Sequence, residues 1–172
     1  MNNRNARRLW ALATGLALAV VVVALVKVWP LLHPPLGERA PLNPDCDLLR
    51  EACQVRFADG AEVRLMIEPQ GIPAVQPLQF EVGLSHLPVP EQVEIDFHGV
   101  EMNMGFNRVR LQRADAGAGA DARAGAERWH GQGMLPVCVR ARMTWEAQVL
   151  LHYPSGVRAA PFRFVSQRPG SR

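Results

Sequence analysis

The chain lacks the recurrent signatures of catalysis. It has no Gly-x-Ser-x-Gly elbow, no phosphate-cradling glycine loop, no His-Glu-x-x-His helix and no Cys-x-x-Cys pair. Each of those motifs fixes a nucleophile, a phosphate or a metal by local geometry that dispersed residues do not reproduce. Serine is scarce, and the carboxylates are scattered over polar positions. These absences argue against an enzyme.

A basic excess is also missing from most of the chain, although the pI of about 9.1 suggests one. Three of the 19 Lys+Arg, namely Arg4, Arg7 and Arg8, lie at the N-terminus, leaving 16 against 16 Asp+Glu. A near-neutral remainder is not the electrostatic footprint of a nucleic-acid binder.

Charge is absent altogether from residues 9–26, an 18-residue apolar stretch continued past Lys27 by Val28 and Trp29. That length suits a helix crossing a bilayer core of about 30 Å. The arginines before it place the N-terminus on the cytoplasmic side, and Trp10 and Trp29 fall where interfacial anchors sit. The rival reading is a cleaved signal peptide, which has a shorter apolar region and a small-x-small site; Lys27-Val28-Trp29-Pro30 fits that poorly. The expected organisation is a cytoplasmic tail (1–8), a single transmembrane helix (9–29), a Pro-rich linker (30–44) acting as an extended spacer, and a periplasmic domain (45–168) of an inner-membrane protein. His33 reads as a solvated linker residue.

Cysteine is limited to three residues. In an oxidising periplasm, Cys46 and Cys53 form the natural local disulfide; Cys46 with Cys138 and Cys53 with Cys138 stay open. Any single bridge leaves one thiol. For Cys138 three readings stand: a bridge partner, a buried inert thiol, or a metal or redox thiolate.

After Cys46 the pattern is one of short strands. Segments 54–57 and 62–68 flank Asp59-Gly60, a strong hairpin signal. Leu78, Phe80, Val82 and Leu84 alternate with period two, as do Val93, Ile95 and Phe97, which leaves His98 on the polar face. Further strands are expected near 106–113, 128–139, 144–153 and 157–165. The Ala/Gly/Asp tract 114–127 has no large apolar residue and is expected to be a flexible insertion within a hairpin. Seven or eight strands without an amphipathic helix predict an all-β fold: a small antiparallel immunoglobulin-like β-sandwich behind the membrane helix.

The remaining chemistry lies in soft side chains: Met102, Met104, Met134, Cys138 and Met143. Thioethers and thiolates select Cu(I) over harder cations. Met102 and Met104 are two apart, so an extended backbone projects both to one side; filling core gaps is the competing role for methionine. Cys138 and Met143 would line a loop if the chain turns through Arg140-Ala-Arg142. Blue copper needs two histidines beside a cysteine, and none of His86, His98, His130 and His152 is spaced tightly to Cys138.

The anchored topology, the strand pattern, Phe97-His-Gly-Val-Glu-Met-Asn-Met-Gly105 and Leu135-Pro-Val-Cys-Val-Arg-Ala-Arg-Met-Thr-Trp145 resemble, loosely, small exported immunoglobulin-like copper-handling domains of the CopC, YtkA and FixH type. The resemblance implies a role in copper homeostasis or respiratory oxidase assembly. It also implies Met102 and Met104 as copper ligands, completed by Cys138 or Met143. The chain lacks the N-terminal histidine of CopC and the Cys-x-x-x-Cys of Sco assembly factors, which points to Cu(I) rather than Cu(II). The expected function is therefore to bind Cu(I) and pass it to a protein partner; the alternative is a metal-free structural or adaptor module of an inner-membrane complex.

Overall fold

The computed structural model describes residues 3–32, 36–102, 105, 107–114, 127–136 and 142–167. They fall into two compact units, divided between Pro35 and Leu36. The first is a single helix, α1 (Asn3–Leu32). Its described side chains, Trp10 and 12–25, are all exposed, with Leu12 at 71% and Leu25 at 64%. Among the described residues no helix is long and apolar enough to cross a membrane; the uncharged stretch 9–26 of the sequence extends beyond these side chains at both ends.

Among the described residues the second unit has ten strands: β1 (Leu36–Arg39), β2 (Cys53–Arg56), β3 (Glu62–Glu68), β4 (Pro77–Ser85), β5 (Gln92–Gly99), β6 (Arg108–Arg110), β7 (Gln112–Arg113), β8 (Glu127–Met134), β9 (Arg142–Tyr153) and β10 (Gly156–Gln167). They form two five-stranded sheets, ordered β1-β10-β9-β5-β6 and β2-β3-β4-β8-β7. Every pairing is antiparallel except β1 with β10. The runs β3-β4-β8-β7 and β10-β9-β5-β6 match the A-B-E-D and G-F-C-C′ orders of immunoglobulin sandwiches.

Period-two alternation sets the core. Leu65 and Ile67 on β3, Phe80 and Val82 on β4, Val93, Ile95 and Phe97 on β5, and Trp145, Ala147, Val149 and Leu151 on β9 are buried together in one cluster. Phe80 and Phe97 meet across it with ring centroids 5.4 Å apart, within the range of favourable aromatic pairs. The hairpin at Asp59-Gly60 forms as expected: Gly60 adopts φ +86°, and the Asp59 carboxylate accepts the Ala61 amide hydrogen bond at 3.0 Å.

Two features depart from the sequence expectation. Residues 36–39, inside the stretch expected to be a spacer, form β1 on the edge of β10, and Ala40 donates its amide to the Ala159 carbonyl at 2.9 Å. The prolines on either side restrict the chain to extended conformations, and an extended segment beside an open sheet edge satisfies its backbone by pairing. The strand expected over 106–113 is split between the sheets. Leu111, 3% exposed, plugs the crossover while its amide bonds the Val93 carbonyl, so β6 joins one sheet and β7 the other. The tract expected as a flexible hairpin insertion lies, over 115–126, outside the described residues; its base is closed by the Ala114 amide on the Arg128 carbonyl at 2.8 Å.

Arg158 ties three elements at one end. Its guanidinium lies 4.1 Å from the Phe57 ring centroid and pairs with Glu38 at 2.7 Å and Asp59 at 3.0 Å. The hydrogen bond from Arg158, then the Ala61 amide, hold the Asp59 carboxyl below its ordinary pKa. A folded-state pKa below the unfolded one gives stability that is present above the unfolded value, near pH 3.9, and lost as pH falls through the folded value. Asp59→Asn should therefore flatten the acid limb of a stability–pH curve below about pH 4. Superimposable acid limbs for the two proteins would contradict this assignment.

Candidate functional site

On β5 the inward residues anchor the strand, while Glu94, Asp96 and His98 face outward. The chain leaves β5 at Gly99 and bends through 100–102. Two hydrogen bonds fix this bend to the start of β9: the Val100 amide donates to the Thr144 carbonyl at 2.9 Å, and the Thr144 amide donates to Glu101 Oε2 at 3.1 Å. The bend borders an open cleft of about 510 Å³ lined by Asp96, His98, Glu101 and Met102, with backbone at Gly99 and Gly105. Met102 is half-buried and packs against the core.

The electrostatics of the cleft continue across the outer face of its sheet. His98 sits between two carboxylates, its Nδ1 3.8 Å from Asp96 and its Nε2 3.8 Å from Glu146. Glu146 in turn accepts from Arg39 at 2.7 Å and Arg163 at 3.0 Å. Glu94 accepts or shares a hydrogen with His152 Nε2 at 3.0 Å and lies 3.5 Å from Arg108 and 3.9 Å from Arg110. Buried carboxylates persist only when paired and hydrogen-bonded; the buried Glu94 and Glu146, like the half-buried Asp96, are each met by arginine or histidine.

The expected ligands separate. Met102 lies on the cleft. Met143 does not lie on a loop: it occupies β9, is 2% exposed and belongs to the core cluster, because β9 begins at Arg142 and its alternation turns residue 143 inward with Trp145. Met134 is half-exposed at the end of β8, opposite Pro77. Met104 and Cys138 lie outside the described residues. Cys46 and Cys53 are bridged with Cα atoms 5.7 Å apart, so Cys138 is the third, unbridged cysteine of the chain.

His98 is the residue that spacing to Cys138 does not reveal. Its signal is the Asp96-x-His98 alternation, which puts both on one sheet face and carries His98 to the strand end where Met102 follows. His130, by contrast, faces outward on β8 across from Glu81 and Gln112. Among the described residues no group of three or more His, Cys, Asp or Glu could hold a metal ion; any soft site here depends on sulfur.

Strand pairing sets the Met102 bend, beside the start of β9, far from the point where the chain enters the sheet. Thr144, the anchor of the Met102 bend, pairs with Val165 on β10, whereas Leu36, where the chain enters the sheet, pairs with Val157. Eight residues of strand separate these positions, about 27 Å. The Met102 bend and the chain's entry point are therefore at opposite ends. The chain matches no protein-family model and no curated protein.

Proposed function

We propose that the protein is a membrane-anchored, periplasmic domain that binds Cu(I) through sulfur at the Met102 end of its sandwich and passes it to a protein partner. The anchor is the uncharged stretch 9–26, which falls within the 30-residue helix α1. The observation that carries the copper reading is the pair of hydrogen bonds between the 100–102 bend and Thr144. Met104 follows that bend by two residues and Cys138 precedes Thr144 by six, so chain length alone keeps Cys138 within about 20 Å of the Met102 bend.

In this reading Met102, Met104 and Cys138 supply soft donors. The half-exposed position of Met102 suits ligand exchange, in which an incoming thiolate or imidazole displaces a weakly held thioether. Met143 packs the start of β9 into the core.

The test is a titration of Cu(I) into the full chain in detergent against a chromogenic chelator, under reducing conditions. Met102→Leu/Met104→Leu should lower the apparent affinity by roughly 10-fold or more, since each coordinating bond lost costs on the order of a kcal/mol or more. Leucine preserves the apolar volume, so folding is retained. Equal binding by parent and variant would remove the copper reading and leave the metal-free adaptor module.

A further inference from the structure

We infer that β1 is a releasable strap whose docking is read at the cleft, because Arg39 of the strap and His98 of the cleft share one carboxylate oxygen, Glu146 Oε1. Neither the membrane anchor nor copper is required for it.

β1 is built to come away before the rest of the sandwich does. Alone among the described strands it pairs in parallel, a geometry slightly less stable per residue than the antiparallel one. Its register with β10 slips between Leu36 and Glu38, so the ladder is broken within it. Pro35 and Pro41 bracket the segment and have no amide to add to that ladder. Gly37 and Arg39 are exposed, Glu38 is half-buried, and only Ala40, just past the strand, reaches the core.

Two ion pairs fasten the strap. Glu38 pairs with Arg158 on β10 at 2.7 Å, and Arg39 donates to Glu146 Oε1 on β9 at 2.7 Å. The strap's side chains are the open partners, 38% exposed at Glu38 and 49% at Arg39, and pairs with one solvated member hold weakly. β1 is also the first strand of its unit in chain order, so a pull on the chain before Leu36 meets it before any other strand.

Glu146 carries the state of the strap to the cleft. Its Oε2 accepts from Arg163 at 3.0 Å, and its Oε1, bonded to Arg39, lies 3.8 Å from His98 Nε2, beyond hydrogen-bond reach. When Arg39 leaves, a sunken carboxylate oxygen loses a charge-assisted partner, which is costly. His98 sits opposite Glu146 in the pairing of β5 with β9, and closing by about 1 Å makes the replacement bond. The ring, which lines the cleft beside Met102, is then held by Glu146 instead of standing free between Asp96 and Glu146.

The experiment uses the full chain in detergent at one fixed pH. Hydrogen exchange of amides 36–40 is compared with that of amides 147–151 on β9, and modification of His98 by diethylpyrocarbonate with that of the exposed His86 and His130. Arg39→Gln removes the shared contact. Glu38→Gln loosens the strap through its other pair and leaves Glu146 untouched, while Arg158 keeps Asp59 at 3.0 Å. In the parent, amides 36–40 should exchange at least about 10-fold faster than 147–151. Both variants should speed exchange at 36–40 further and slow modification of His98 roughly 3-fold, with amides 147–151, His86 and His130 unchanged. Exchange at 36–40 as slow as at 147–151 in the parent overturns the inference, as does an unchanged His98 in both variants. Slowing in Arg39→Gln alone leaves a side-chain contact without a strap and overturns it too. Loss of protection at 147–151 in Glu38→Gln makes β1 an integral strand of the fold, with the same consequence.

Discussion

Trp145→Ala should destabilise the sandwich by about 3–5 kcal/mol, measured as a loss of urea stability for the full chain in detergent. Trp145 is 1% exposed, part of the core cluster and next to Thr144, to which the Met102 bend is bonded. It sits opposite Gly99 on β5 and Phe164 on β10. Its Nε1 donates to the half-buried Ser166 Oγ at 2.9 Å, so truncation removes a large apolar surface together with this hydrogen bond. Phenylalanine should restore most of the loss, since it refills the cavity without the hydrogen bond. A loss below about 1 kcal/mol would mean that the indole is not the wedge on which both sheets close.

The second large effect should follow removal of the Cys46–Cys53 bridge. The loop it closes has a sequence separation of 7, for which chain entropy gives about 2–3 kcal/mol. Cys53 is also 2% exposed within the core. The bridge fixes a turn in which the Arg50 and Glu51 amides bond the Asp47 carbonyl at 3.0 and 3.1 Å and which seats Leu48, 2% exposed. Cys46→Ala/Cys53→Ala should lower the unfolding midpoint accordingly. A thiol assay on the denatured, unreduced parent should find one reactive thiol, that of Cys138. Finding three thiols, or a variant as stable as the parent, would contradict this.

Most strands were legible because half-buried antiparallel strands write their burial into the sequence. The expected 62–68 segment matches β3 residue for residue, and Leu78 to Leu84 and Val93 to Phe97 lie inside β4 and β5. Asp59-Gly60 specified its turn because only glycine adopts that positive φ at no steric cost. β1 was illegible for a physical reason: its residues, Leu36-Gly-Glu-Arg39, have no alternation, and it exists by pairing with β10 rather than by burying a face. The break at Leu111 was equally hidden, since one buried leucine can continue a strand or plug a crossover, and only the partner strands decide.

The candidate site was partly legible. Of the expected residues Met102 borders a cleft, whereas Met143 lies in the core, because a methionine near a strand start reads the same in sequence whether it faces a loop or the core. His98 has no tight spacing to Cys138 along the chain and reaches the cleft through β5. The arginine-covered carboxylates of the outer face were invisible, since their partners come from β1, β6 and β10, far apart in sequence.

The Cu(I) site proposed at the Met102 end is tested most directly by X-ray absorption at the copper edge on the full chain loaded with one equivalent of Cu(I). The expected first shell is dominated by sulfur at about 2.3 Å, diminished in Met102→Leu/Met104→Leu and further diminished by Cys138→Ser. A first shell of nitrogen and oxygen alone, unchanged by those substitutions, would contradict it.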